Sequence, residues 1–310
     1  GNGADVITYD AGTTLDIQNT GTGTVTLVAS KTGATVTATN GNRTVSAATS
    51  TAAVNMTGAA VQAANAVTYT GGTKADTIIG GAGADVLTGG DGADTITGTN
   101  NADIIVSGDG ADTVSGGAAI DKSTGGDGAD TLTGGEGADI ISSGKGADTI
   151  VLTETTAAAD DVVFGNEGIV TGGTDIGFAA LAGADTITGF AGSDELIFDI
   201  SAFGLGGNTE VKDAVGSLLV NSTEEIAIIT GAGYASDEAV EDAVAGRVTS
   251  DGLDMVIVYF NNTTNTTRVI HDADAGVDGT ATTTLIATLS DYTTLTMHET
   301  LTVDNVGSFA

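Results

Sequence analysis

Nine aspartates recur at intervals of nine residues between residues 71 and 151, each at the sixth position of a nonapeptide such as residues 89–97. They are Asp76, Asp85, Asp94, Asp103, Asp112, Asp121, Asp130, Asp139 and Asp148. Carboxylates beside glycine-rich segments, which offer backbone carbonyl oxygens, supply the ligands that hard cations bind. Calcium takes about six to eight oxygen ligands, so it fits this chemistry better than zinc or copper.

The nonapeptide also predicts the elements that position these carboxylates. Its first six residues are rich in glycine and predict a tight turn, and its last three predict a very short strand with an inward-facing apolar residue at position eight. Two nonapeptides form one coil of 18 residues, and successive coils stack about 4.8 Å apart. Two rows result, formed by Asp76, Asp94, Asp112, Asp130 and Asp148 and by Asp85, Asp103, Asp121 and Asp139.

Bare carboxylates in such rows repel one another by several kcal/mol per pair at an intermediate effective dielectric constant. A divalent cation between neighbours removes this repulsion. The nine repeats contain seven pairs of aspartates 18 residues apart, which predicts up to about seven shared Ca²⁺ sites. Residues 71–151 carry 13 acidic and 3 basic side chains, a net charge of −10, and seven Ca²⁺ ions are of the right order to neutralise it.

One repeat departs from the pattern. Residues 116–124 carry Ala119, Ile120 and Ser123, and Ser123 replaces the Ile, Leu or Val that the other eight repeats have at position eight. The sequence therefore predicts the weakest packing of the array in this repeat.

The chain before and after the array divides into three further regions. Residues 1–70 alternate in short β-like runs between Gly and Asn turns, and we favour an irregular β-solenoid over an ordinary sandwich because no linker separates them from the array. Residues 152–204 break the frame and then recover it in two more nonapeptides. Residues 205–310 lose the period and predict a β-rich domain, with a short helix over residues 236–248.

Five further aspartates are candidate calcium ligands. Asp185 and Asp194 occupy position six of the two late repeats, and Asp5 has the repeat phase near the start of the chain. Asp272 and Asp274 lie in an acidic DADAGVDG segment, which predicts either one more calcium site or a solvated turn.

Composition limits the partners and activities. The chain has 41 acidic and 8 basic residues and a net charge of −33, which makes nucleic acid an unsuitable partner. The absence of cysteine excludes disulfides and zinc–thiolate sites. The sequence contains neither HExxH nor GxSxG, and no apolar run is long enough for a transmembrane segment. We therefore expect no catalytic residues and no enzymatic activity.

The nonapeptides resemble the RTX repeat, GGxGxDxUx, a calcium-binding motif. Residues 183–204 are similar to the segment that closes an RTX roll, and residues 271–296 are similar to the C-terminal region of many type I-secreted RTX proteins. The resemblance implies an all-β fold, a right-handed parallel β-roll with Ca²⁺ in the turns, flanked by the irregular solenoid and a C-terminal β-rich cap. It also implies export by the type I secretion machinery through a C-terminal signal, followed by folding in extracellular calcium.

RTX rolls occur in proteins of many functions, so the fold alone does not give the function. The composition of this chain looks like that of bacterial surface-layer (S-layer) proteins with RTX repeats. We therefore expect a secreted structural protein of the bacterial cell surface that self-assembles into a lattice or filament. Attachment to cell-surface polysaccharide would need a further part of the protein. The alternative is an RTX adhesin or the non-catalytic C-terminal module of a secreted RTX enzyme.

Overall fold

The computed structural model describes part of the chain. The described residues are 5–9, 14–17, 24–29, 34–38, 43–58, 66–164, 183–191, 194–199, 211–213, 226–237, 239–240, 253–275, 283–291 and 306–309.

Successive strands alternate between two sheets. Sheet A contains, in spatial order, β1 (Asp5–Tyr9), β3 (Thr24–Ala29), β5 (Arg43–Ser46), β7 (Val67–Thr70), β9 (Val86–Asp91), β11 (Ile104–Asp109), β13 (Lys122–Asp127), β15 (Ile140–Lys145), β17 (Asp161–Phe164), β19 (Glu195–Asp199) and β25 (Val306–Phe309). The first nine strands of sheet B are β2 (Thr14–Ile17), β4 (Ala34–Ala38), β6 (Val54–Gly58), β8 (Thr77–Gly81), β10 (Thr95–Asn100), β12 (Thr113–Ala118), β14 (Thr131–Glu136), β16 (Thr149–Val151) and β18 (Asp185–Thr188).

Neighbouring strands from β1 to β19 are parallel, which confirms a β-solenoid. In the array the register is 18 residues, since Ile96 of β10 pairs with Val114 of β12 and Ile105 of β11 pairs with Ser123 of β13. The coil length predicted from the period of the aspartates is therefore confirmed.

The strands of the array are longer than predicted. Strand β9 runs over Val86–Asp91, and therefore covers positions seven to nine of one repeat and positions one to three of the next. The prediction of a six-residue turn and a three-residue strand was wrong, because glycine at position two continues the ladder. Gly90 pairs with Gly108 in the next coil and has a φ of 113° that side-chain-bearing residues rarely adopt.

The first 58 residues contribute strands to the same two sheets. Strand β1 pairs with β3 and β2 pairs with β4, all in parallel, as expected for a solenoid and not for an antiparallel sandwich. The register varies here: Asp5 lies opposite Val25, whereas Arg43 lies opposite Val67. The solenoid is therefore irregular before the array and regular within it.

The core is a double column of inward-facing residues between the sheets. Every position eight of the array is buried, and all but one are apolar: Ile78, Leu87, Ile96, Ile105, Val114, Leu132, Ile141 and Ile150. The exception is Ser123, whose buried hydroxyl has no hydrogen-bond partner among the described residues, while the neighbouring Ile120 is 55% exposed. This repeat therefore lacks an apolar residue in the core column, and its weak packing stays a prediction.

Replacing Ser123 by Val is expected to stabilise the calcium-loaded protein by about 1–2 kcal/mol. The substitution removes an unsatisfied buried hydroxyl and adds apolar volume between Ile105 and Ile141, its partners in the ladder. Thermal unfolding in saturating calcium measures the effect. The matched control is Ile105→Ser, which should destabilise the protein, and a lower midpoint for Ser123→Val than for wild type would contradict this view of the column.

Beyond the array, the solenoid leads into a C-terminal β-region. Sheet B continues from β18 through β24 (Thr283–Leu289), β23 (Thr266–Ala275), β22 (Leu253–Asn261), β21 (Ile226–Tyr234) and β20 (Val211–Asp213). Strand β24 is parallel to β18, whereas β22, β23 and β24 form an antiparallel meander. Strand β25 adds to β19 in sheet A.

The predicted helix is described only at its beginning. Ser236 Oγ accepts the Ala239 N–H and the Ser236 carbonyl accepts the Val240 N–H, as at a helix N-terminus. Residues 241–248 of the prediction lie outside the described residues. No helix in the described part of the chain is long and apolar enough to cross a membrane.

Candidate calcium sites

Backbone hydrogen bonds link the aspartates of each row into a ladder. The Oδ1 atom of Asp94 accepts the N–H of Asp76 at 2.7 Å, and that of Asp103 accepts the N–H of Asp85 at 2.7 Å. The same hydrogen bond, from the backbone N–H of one aspartate to the Oδ1 atom of the aspartate 18 residues later, recurs at 2.7–2.8 Å. Its donors are Asp94, Asp103, Asp112, Asp121 and Asp130. The side chain of each coil thus caps the backbone of the coil before it.

The second carboxylate oxygen of most of these residues is buried with nothing to bind. All nine repeat aspartates are at most 2% exposed. The Oδ2 atom is buried and has no hydrogen-bond partner among the described residues in Asp94, Asp103, Asp112, Asp121, Asp130, Asp139 and Asp148. An unsatisfied buried carboxylate oxygen is costly, so these seven positions need a positively charged ligand.

Glycine at position one makes room for this oxygen. A Cβ atom on Gly125 would lie 2.6 Å from the Oδ2 atom of Asp130, in the same turn, and would also overlap the carbonyl oxygen of Ser143 in the next coil. In this turn a side chain at position one would therefore conflict with the carboxylate and with the stacked backbone. Glycine is not required in every turn, because Ser107 and Ser143 occupy position one in the turns of Asp112 and Asp148.

Burial raises the pKa of these carboxyl groups. The pKa of Asp94 rises to about 7, mainly because burial disfavours its charge; the Asp76 N–H opposes the rise, and the charges of Asp112 and Asp76 add to it. Burial is also the main cause of a pKa of about 7 for Asp103 and Asp139. Without a cation, the ionised form of these carboxyl groups is therefore destabilised.

The donor set fits calcium. Among the described residues, no three acidic or histidine side chains converge in a group that could hold a metal ion. Each site would therefore combine the carboxylates of a ladder with backbone carbonyl oxygens of the turns, which are calcium ligands and not the nitrogen and sulfur that zinc and copper prefer.

Sequence reading missed one member of the second row, Asp160. Its Oδ1 atom accepts the Asp139 N–H at 2.8 Å across 21 residues instead of 18, and the side chain is 1% exposed. Three extra residues therefore interrupt the repeat after Glu154, whose carboxylate accepts the N–H groups of Gly137 and Ala158. The signal available in the sequence was the Asp-x-apolar pattern of Asp160 and Val162.

The two late-repeat aspartates accept backbone N–H groups in the same way as the aspartates of the rows, and their role as calcium ligands stays a prediction. Asp185 Oδ1 accepts the Asp148 N–H at 3.0 Å, and Asp194 Oδ1 accepts the Asp160 N–H at 3.2 Å. Both side chains are buried. The ladders therefore extend beyond the regular array, through the insertion, to β18 and β19.

The three remaining candidates lie away from the ladders. Asp5 begins β1, and its side chain is outside the described residues, as is that of Asp274. Asp272 is fully buried within β23, opposite Met255 of β22, and not in a turn. The acidic segment thus begins as part of a strand, and its role as a calcium site stays a prediction.

The carboxylates at position three have a different environment from those at position six. Asp91, Asp109 and Asp127 are exposed at the ends of β9, β11 and β13, and Lys145 pairs with Asp127 at 2.6 Å. The carbonyl oxygen of Asp109 accepts the Gly92 N–H at 2.6 Å, and this hydrogen bond links the turns of two successive coils.

Four segments of the chain match the family model of the RTX calcium-binding nonapeptide repeat: residues 68–96, 88–122, 115–150 and 178–200. Comparison with curated proteins finds no significant match. The repeats that this family model describes bind calcium. Residues 68–150 and 178–200 are therefore calcium-binding RTX repeats, and the described residues among them lie in the parallel β-roll.

Proposed function

We propose that the chain is a calcium-dependent structural protein of the bacterial cell surface, which self-assembles into an S-layer or a similar extracellular array. The observation that carries the proposal is the continuity of the stack. Sheet A runs from β1 to β25 and the parallel part of sheet B from β2 to β24, so the strands near both ends of the chain belong to the same two sheets as the roll. Two continuous sheets of this kind would form a rigid structural element once cations bind in the turns.

The charge of the protein supports a role for calcium between copies as well as within each copy. The net charge is −33, and Asp91, Asp109 and Asp127 form an exposed row at the spacing of the coils. Two such surfaces repel each other until divalent cations bind between them. Calcium would then control folding and association together.

Calcium also explains how a chain of this kind is exported before it folds. Extracellular calcium modules bind at dissociation constants of about 10⁻⁴–10⁻³ M. The cytosol holds far less free calcium, so the carboxylate rows stay unneutralised and the chain stays unfolded until it leaves the cell. Assembly is thereby confined to the surface.

Incubation of the purified chain with millimolar CaCl₂ tests the proposal. Negative-stain electron microscopy should show ordered sheets or filaments, and light scattering should show their growth. Magnesium at the same ionic strength is the matched control, since Mg²⁺ demands a tighter octahedral geometry and keeps its waters. A folded, calcium-loaded chain that stays monomeric at high concentration would overturn assembly and favour the adhesin or the module of a secreted enzyme.

A further inference from the structure

The first two turns of the array satisfy their own carboxylates. In the turn of Asp76 the Oδ2 atom accepts the Gly72 N–H at 2.6 Å, and in the turn of Asp85 it accepts the Gly81 N–H at 2.5 Å. Their Oδ1 atoms accept N–H groups of the preceding coils, from Val54 at 2.6 Å and from Val67 at 2.7 Å. Both oxygens of each carboxylate therefore already have a protein donor.

The next seven turns differ from these two in backbone conformation at position two. Neither Gly72 nor Gly81 has a positive φ, whereas every later residue at this position does. These residues, with their φ angles, are Gly90 (113°), Thr99 (98°), Gly108 (111°), Gly117 (119°), Gly126 (118°), Gly135 (117°) and Gly144 (97°).

The two observations coincide turn by turn. Each of the seven residues with positive φ lies four positions before one of the seven aspartates whose Oδ2 atom has no donor. The conformational freedom of glycine does not by itself explain the positive φ at position two. Thr99 adopts the same conformation at a cost on the order of 1–3 kcal/mol. The surrounding coils impose a turn in which the amide of position two no longer satisfies the carboxylate.

At the C-terminal end of the roll, protein groups again donate hydrogen bonds to the second carboxylate oxygen. The Oδ2 atom of Asp185 accepts the Ser143 hydroxyl at 2.8 Å, and the Oδ2 atom of Asp194 accepts the Ala191 N–H at 2.7 Å. Four aspartates that match the repeat motif, two at each end of the roll, therefore have both oxygens satisfied by the protein.

We propose that the calcium sites of the roll are confined to the seven turns from Asp94 to Asp148, and that Asp76, Asp85, Asp185 and Asp194 are hydrogen-bonded caps that hold no calcium. An N–H group directed at a carboxylate oxygen occupies the position of a cation and repels it. The caps keep the terminal turns ordered without a ligand, as the ends of a stacked repeat array require. The motif alone would assign a calcium ligand to each of the four.

Asparagine substitutions at adjacent positions of one row test this. Asp103→Asn changes a turn in which the Oδ2 atom has no donor. Asp85→Asn makes the same change 18 residues earlier, in a turn in which the Gly81 N–H donates to Oδ2. Bound calcium per full-length chain is counted by equilibrium dialysis with elemental analysis, at a protein concentration that keeps the chain monomeric. We expect Asp103→Asn to lose at least one ion, and Asp85→Asn to keep the wild-type count and lose only thermal stability.

The cap variants decide the question even if Asp103→Asn does not fold. Asp76→Asn and Asp194→Asn extend the series to the other row and to the other end of the roll. A wild-type ion count in the folded cap variants supports the assignment. Loss of an ion in a folded Asp85→Asn, Asp76→Asn or Asp194→Asn chain, or a full count in folded Asp103→Asn, overturns it. The readout is independent of assembly.

Discussion

Removal of calcium at pH 8 is expected to abolish the β-sheet circular dichroism signal of the roll. Seven carboxylates bury an oxygen without a donor, and each such group costs about 1–3 kcal/mol. Neighbouring charges about 5 Å apart add on the order of 3 kcal/mol per pair at an effective dielectric constant of about 20. The sum exceeds the roughly 5–15 kcal/mol by which folded domains are stable.

The pH dependence of this loss has a definite sign. Burial raises the pKa of groups such as Asp94 from 3.8 to about 7 in the metal-free fold. A raised pKa makes protonation stabilise the fold at low pH, and this stabilisation is lost as the pH rises through about 7. Metal-free chain at pH 5 should therefore retain more β structure than at pH 8.

Chelation with EGTA followed by gel filtration prepares the metal-free chain for these spectra. Added CaCl₂ should restore the signal, whereas MgCl₂ at the same concentration should restore little of it. An unchanged far-UV spectrum at pH 8 without calcium would show that the carboxylate rows do not need a cation.

Replacement of Gly128 by Ala is expected to cost more than about 4 kcal/mol or to prevent folding, a large effect for one methyl group. Gly128 lies at position four of its repeat with a φ of 151°. A Cβ atom there would overlap the carbonyl oxygen of Gly110, directly beneath it in the stack. The nearest atoms all belong to the backbone of Gly110 and Ala111, which cannot move aside as a flexible side chain can. The two coils would therefore have to separate, which would break the hydrogen bond from the Asp112 N–H to Asp130 Oδ1.

The matched control for Gly128 is Gly83, which occupies position four of the second repeat and does not have a positive φ. Calcium titrations followed by circular dichroism compare Gly83→Ala and Gly128→Ala with wild type. We expect the first to fold near the wild-type calcium concentration and the second to require far more. Equal midpoints for the two variants would mean that the turns do not stack backbone on backbone.

The sequence predicted those features of the roll that depend on its period. Aspartate at position six and an apolar residue at position eight determine which residues face the turn and which face the core. The 18-residue register and the polar interruption of the core at Ser123 therefore followed from the sequence period. The two rows of buried carboxylates followed for the same reason. The irregular N-terminal solenoid was predicted from the absence of a linker.

Features that depend on backbone conformation were not readable. Gly72 and Gly90 are both glycines at position two of their repeats. Gly72 donates its N–H to the carboxylate of its turn, whereas Gly90 has a φ of 113°. The difference comes from the coil stacked beneath each turn, which is a tertiary effect. The extra length of the strands has the same origin, and Asp160 was hidden by a three-residue insertion that broke the frame.

A crystal structure of the chain grown in millimolar calcium chloride, with anomalous diffraction data, tests the central claim most directly. Calcium scatters anomalously, so each ion can be identified independently of the refined coordinates. The account predicts peaks beside the Oδ2 atoms of the seven aspartates from Asp94 to Asp148, inside the stacked turns. Turns without peaks, or peaks only beside the exposed row of Asp91, Asp109 and Asp127, would contradict it.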